Sequence, residues 1–166
     1  ESIRWLETFA APFLILMGLA LLGWAYANAG GFGEMLSTPS QFVEGGAKEG
    51  QFWTAFFAGL TSMVGFWATM ALNIPDFTRF AKSQKDQMLG QAIGLPLPMA
   101  LFAFIGVAVT SATVTIYGEA IWDPVALAGR MGGMGVVLAL AALALATLTT
   151  NLAANMVAPV YGFSNM

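Results

Sequence analysis

MGVVLALAALALATLTTNLAANMVA, residues 134–158, runs without a single charge and closes on three threonines and two asparagines. It exceeds the roughly 20 apolar residues that a helix needs to cross a bilayer core. Polar groups at that depth either hold helices together or bind something, because an unpaired amide in hydrocarbon costs several kcal/mol.

The whole chain agrees with a membrane reading. Of its 166 residues 58% are hydrophobic and 9% charged, against about 25% charged in a soluble domain, and mean hydropathy is +0.74. Apolar stretches at about 9–29, 52–72, 89–116 and 134–158 predict four transmembrane helices in an all-α membrane protein. None has the short apolar core and small-residue cleavage site of a signal peptide. The absence of cysteine and histidine removes disulfides, thiolate chemistry, imidazole ligands and histidine proton relays. No HExxH or GxSxG string is present, so an intramembrane enzyme lacks its inventory. A net charge of -3 without a basic stripe argues against nucleic acid as a partner.

Charge placement predicts the topology. Arg79, Lys82 and Lys85 crowd one loop between the second and third spans, and cationic loops stay cytoplasmic. Alternation puts Arg4 inside. It puts the loops at about 30–50 and 117–133 outside, the first with Glu34, Glu44, Lys48 and Glu49, the second with Glu119, Asp123 and Arg130. Asn73 is expected to cap a short helix beginning with Pro75 and Asp76. Ser83 with Asp86 forms a capping box for the third span. The chain starts at Glu1 and stops after a linking stretch, Tyr161 to Met166, which reads as one partial transmembrane domain, 1–166, of a larger protein.

On the fourth span, at 100° per residue, Leu145, Leu148, Leu152 and Met156 share a sector of about 80°. That stripe is the expected lipid face. Thr149, Ala146, Thr150, Thr147, Asn151 and Asn155 fill the remaining arc, where protein or a watery cavity is expected. A lone threonine there would ordinarily bond its own helix. Five polar residues within nine positions ask for more: Ala146, Thr149 and Thr150 offer a carbonyl and two hydroxyls to a bare cation, and hard cations take oxygen. The Asn155 amide both donates and accepts and suits the edge of a cyclic amide or ureide. Asn155 lies about 180° from Ala146 on a regular helix. The two groups are therefore separate sites, or the helix is irregular between them.

The second span carries TSMVGFW, Thr61 to Trp67, where Gly65 permits close packing or an unwound stretch and Trp67 could stack on a planar ligand. The third begins GQAIGLPLPMA, residues 90–100, whose prolines must bend or break the helix. Broken helices with polar residues near mid-membrane point to a secondary transporter. Met131 and Met134 are expected to pack rather than ligate.

Two blocks, GFWATMALNIPDFTRFAKSQKDQMLGQAIGLP (65–96) and ATLTTNLAANMVAP (146–159), resemble the nucleobase:cation symporter family, the permeases for cytosine and purines, uracil, thiamine, allantoin and hydantoins. The resemblance implies a twelve-helix inverted-repeat fold, of which this chain is similar to helices five to eight. It implies uptake of a nucleobase or cyclic ureide by alternating access, coupled to sodium or to protons, in the plasma membrane. By it Ala146, Thr149 and Thr150 correspond to sodium ligands. Gly65, Phe66, Trp67 and Asn155 correspond to substrate contacts. NIPDFTRFAK resembles the uracil, allantoin and hydantoin branch. No cofactor beyond the coupling ion is implied, and the expected partners are substrate, lipid and the remaining helices. The competing reading is a membrane scaffold or assembly subunit whose polar residues only join helices.

Overall fold

The computed structural model describes the backbone of all residues except 1, 38, 72 and 165, and side chains except those and residues 2–4, 7, 34, 67, 69–71 and 158. Every regular element among the described residues is helical. In chain order these are α1 (Ser2–Asn28), α2 (Phe32–Leu36), α3 (Phe52–Ala71), α4 (Ile74–Thr78), α5 (Gln84–Gly94), α6 (Pro96–Tyr117), α7 (Pro124–Met131), α8 (Gly133–Asn155) and α9 (Val157–Ser164).

Among the described residues three helical segments are long and apolar enough to cross a membrane: Thr8–Asn28, Gln84–Tyr117 across α5 and α6, and Gly133–Ser164 across α8 and α9. The α5–α6 segment of 34 residues exceeds the roughly 20 that a crossing needs. α3 is 20 residues long, but its described apolar portion, Phe52–Phe66, is shorter than a crossing.

Local chemistry sets the boundaries. Gly30 and Gly31 end α1 at positive φ, 78° and 116°, values that side chains resist. Gly118 closes α6 in the left-handed conformation, its N–H donating to Val114 O at 2.9 Å. The expected break at the prolines is present: α5 stops at Gly94, Leu95 forms a turn, and Pro96 opens α6. Neither Pro96 nor Pro98 can donate to the preceding turn. The capping box also holds, with Ser83 Oγ accepting from Asp86 N at 3.1 Å and donating to the Asp86 carboxylate at 2.8 Å. Asn73 does occupy the N-cap position of α4, but its side chain makes no capping bond and its backbone is already helical (φ -95°, ψ -9°). An N-cap needs extended backbone to aim its oxygen at the first turn, so that expectation is corrected.

The packed part of the molecule is small and lies on α6. Ala25 and Ala29 of α1, Met35 of α2, Ile105, Ala108, Val109 and Ala112 of α6, and Leu127 of α7 form one buried cluster. Small residues let the α1 and α6 backbones approach. Gly18 shows how closely: a Cβ there would meet Phe102 at 3.0 Å and Ile105 at 3.3 Å. Met131 packs against this cluster as expected, whereas Met134 is exposed.

The loop at 117–133 is ordered around Thr113, which is fully buried. Its hydroxyl donates to Thr110 O at 2.6 Å and accepts from Ile121 N at 2.8 Å. Asp123 then caps α7 by accepting from Val125 N, and Arg130 pairs with Glu119 at 2.6 Å. By contrast, every described side chain of α3 is exposed.

Candidate functional site

α8 presents two different sides. Its buried residues are Ala142 and Thr149, seven positions apart and so nearly in line along the helix. Leu145, Ala146, Leu152 and Ala153 beside them are half-buried, while Thr147, Leu148, Thr150, Asn151 and Asn155 are exposed.

The expected leucine stripe is only partly open: Leu148 and Met156 are exposed, whereas Leu145 and Leu152 are half-buried. Of the polar arc Thr149 is buried and Ala146 half-buried, and Thr147, Thr150, Asn151 and Asn155 are open. α8 packs against α1 and α7. Hydrophobicity says which residues avoid water. It does not say which of two water-free surroundings, lipid or protein, they meet.

The uncovered arc is a shallow, open face of α8 bearing Ala146, Thr147, Thr150, Asn151, Ala154 and Asn155. It carries amides, hydroxyls and no charge. α8 is helical without interruption from Gly133 to Asn155, so Ala146 and Asn155 remain at opposite edges of this face, and irregularity is ruled out as their link. Thr147 and Asn151, unassigned from the sequence, lie between them. Their place in the same angular sector was the signal that could have found them.

Hydrogen bonding divides these residues further. Thr147 Oγ1 donates to Leu143 O at 2.8 Å, and Thr149 Oγ1 donates to Leu145 O at 2.9 Å and to Ala146 O at 3.1 Å. Such back-bonding consumes the hydroxyl proton and leaves the oxygen lone pairs available. The side chains of Thr150, Asn151 and Asn155 make no hydrogen bond among the described residues. Of the three candidate cation ligands, Ala146 and Thr149 are thus brought together on the covered side, while Thr150 lies on the open face.

The Thr149 hydroxyl and the Ala146 carbonyl stand 3.1 Å apart as the two ends of a hydrogen bond within α8; both are oxygen groups of the kind hard cations take.

The second-span candidates lie apart. Gly65 and Phe66 sit inside the continuous helix α3, so of the two alternatives at Gly65 the unwound stretch is not present, and among the described residues a Cβ there would meet no neighbour within 4 Å. One glycine costs a helix about 1 kcal/mol, too little to break a 20-residue run. Phe66 is exposed. The side chain of Trp67 lies outside the described residues. Among the described residues α3 makes no broad contact with α8, so the two proposed halves of the substrate site do not meet.

An apolar chain with uncharged polar groups on a membrane-length helix is the expected form of a permease helix set, and comparison with known proteins shows the family. The family described as permease for cytosine/purines, uracil, thiamine, allantoin matches residues 1–166. The chain belongs to that family. A purine-uracil permease of Arabidopsis thaliana is 53% identical over 100% of this chain and 27% of its own length. An allantoin permease of Bacillus subtilis is 44% identical over 99% of this chain and 33% of its own. A uracil permease of Saccharomyces cerevisiae is 29% identical over 93% of this chain and 25% of its own. The chain therefore spans about a third or less of these relatives. No solved structure matches it. Members of this family are membrane transporters and not enzymes.

Proposed function

We propose that the complete protein is a secondary transporter that moves a nucleobase or related cyclic ureide across the cytoplasmic membrane together with a cation, by alternating access. All four expected helices would cross, α3 included, within a twelve-helix inverted-repeat fold. The observation that carries this reading is the unpaired polar arc of Thr150, Asn151 and Asn155 on a membrane-length helix. Facing lipid it would be costly; facing a watery substrate path it is useful. Relatives named for purines, uracil and allantoin favour a planar substrate with alternating N–H and C=O groups, which the Asn155 amide can match.

In this reading Ala146, Thr149 and Thr150 hold the coupling ion, and Gly65, Phe66 and Trp67 line the ring-binding side. A bound cation supplies positive charge that favours one conformation over the other, and only such differential affinity can couple ion to substrate. Sodium is preferred to a proton because no acidic residue occurs in the described membrane-length part of α8 or on its open face. Hydroxyl and carbonyl oxygens bind metal ions without titrating near neutral pH.

The scaffold reading draws support from the back-bonded hydroxyls of Thr147 and Thr149. It would have Thr150, Asn151 and Asn155 pair with further helices rather than with substrate. Uptake of radiolabelled uracil and allantoin by the full-length protein, at varied sodium and fixed pH, tests the proposal. Sodium-dependent uptake of either supports it. No uptake, with no thermal stabilisation by either compound, would return the scaffold reading. A true ligand at a hundred times its Kd adds about 2.7 kcal/mol.

A further inference from the structure

α3 leads directly into α4, and α8 leads through the single turn residue Met156 into α9. α4 and α9 touch. Through that junction the helix bearing Gly65 to Trp67 is tied to the helix bearing Asn155, although α3 and α8 share no broad surface among the described residues.

The junction is built from three side chains. The Arg79 guanidinium lies 4.9 Å from the centre of the Tyr161 ring and 5.7 Å from that of Phe80. The Phe80 and Tyr161 rings are 6.0 Å apart at a tilt of 43°. Arg79 forms no ion pair among the described residues, so ring faces are its partners. It is also held at its backbone, since its N–H donates to Pro75 O at 3.0 Å and closes α4. Tyr161 is half-buried whereas Phe80 is exposed, which makes Tyr161 the anchoring ring.

We propose that Arg79 and Tyr161 are positioning residues, a cation–π clasp that sets how α3 stands relative to α8 and so how the two halves of the substrate site meet. This rests on the reading above, in which both helices face substrate. Asn155 lies six residues before Tyr161, with the Met156 turn between, so a shift of α9 is transmitted over about two turns of helix. α3 offers little packing of its own to resist such a shift. A partly exposed clasp of this kind shifts an equilibrium by about two- to fivefold. It is a bias on helix placement and not a lock.

The test uses the full-length protein with a reporter independent of transport. Spin labels at Asp76→Cys and Ser164→Cys, in an otherwise cysteine-free background, report the α4–α9 separation by pulsed dipolar spectroscopy. Tyr161→Leu and Arg79→Gln are each expected to broaden and lengthen that distance distribution. Tyr161→Phe, which keeps the ring, and Arg79→Lys, which keeps the charge, are expected to retain most of it. In uptake assays, KM should rise about two- to fivefold in Tyr161→Leu and in Arg79→Gln, with little change in maximal rate. The double variant should be no worse than either single one. Should Tyr161→Leu fail to fold, Arg79→Gln alone carries the comparison, since that side chain is exposed. Unchanged distances overturn the clasp whatever is transported, as do additive effects on KM. Changed distances in a protein that takes up no nucleobase or ureide would support the clasp and reject the transport reading.

Discussion

Two buried threonine environments separate the scaffold of this molecule from its working surface. Thr113, on α6, both donates and accepts within the chain, to Thr110 O and from Ile121 N, and is fully buried. Thr149, on α8, is also buried, yet its hydroxyl only bonds back to its own helix, next in sequence to the uncovered Thr150 and one turn from Ala146. The α6 region satisfies its polar groups by itself. The α8 region leaves a run of acceptors and amides open. Polar groups that are fully paired serve stability, whereas polar groups left unpaired on a membrane helix wait for ligand, water or further protein.

The comparison can be broken most sharply at the open end. Asn155→Ala in the full-length protein is expected to reduce substrate affinity by roughly a hundredfold, the scale of losing paired hydrogen bonds in a desolvated site. Uptake and binding of radiolabelled uracil or allantoin measure it, and unchanged affinity would assign Asn155 to helix joining. At the closed end, Thr113→Val should destabilise by about 2 kcal/mol, because the Ile121 N–H keeps its burial and loses its acceptor. Thermal unfolding in detergent reads this, and transport by the surviving folded protein should keep its KM. A change in KM without loss of stability would mean the loop at 117–133 takes part in the site.

Smaller effects sharpen the boundary. Thr150→Ala should weaken the sodium dependence of uptake by about tenfold, near 1.4 kcal/mol for one lost charge-assisted ligand, with maximal rate at saturating sodium largely kept. Identical sodium curves for variant and wild type would exclude the Thr150 hydroxyl from the ion site. Glu119→Gln removes the ion pair with Arg130, whose side chains are 57% and 51% exposed. It should cost no more than about 1 kcal/mol, because Thr113 and Asp123 already order that loop. A larger loss of thermal stability would place the pair among the elements that hold α7 down.

Much of this was legible in the chain. Composition fixed the helical membrane class, Pro96 and Pro98 marked the break at Leu95, and Ser83 with Asp86 marked the start of α5, because each depends on covalent chemistry within a few residues. Two features were not legible. The Gly65 segment stays helical because one glycine is a small penalty against the run around it. The leucine stripe of α8 reads equally well as lipid-facing or protein-facing, and only the packed structure shows that Leu145 and Leu152 are half-buried and Thr149 buried.

For this protein, then, the short helices α2, α7 and α9 were not read from the sequence, which alone determined the four long apolar helical stretches, the break at Leu95, the start of α5, and that α8 carries uncharged polar groups on an arc opposite its leucines. Those are local properties, set by propensity, proline chemistry and the helical repeat. Tertiary structure decided that Thr149 is covered while Thr150, Asn151 and Asn155 share an open face, and that Arg79 beside α4 meets Tyr161 of α9. In a membrane protein apolar surface is indifferent to whether lipid or another helix covers it, so the choice between them is made by packing.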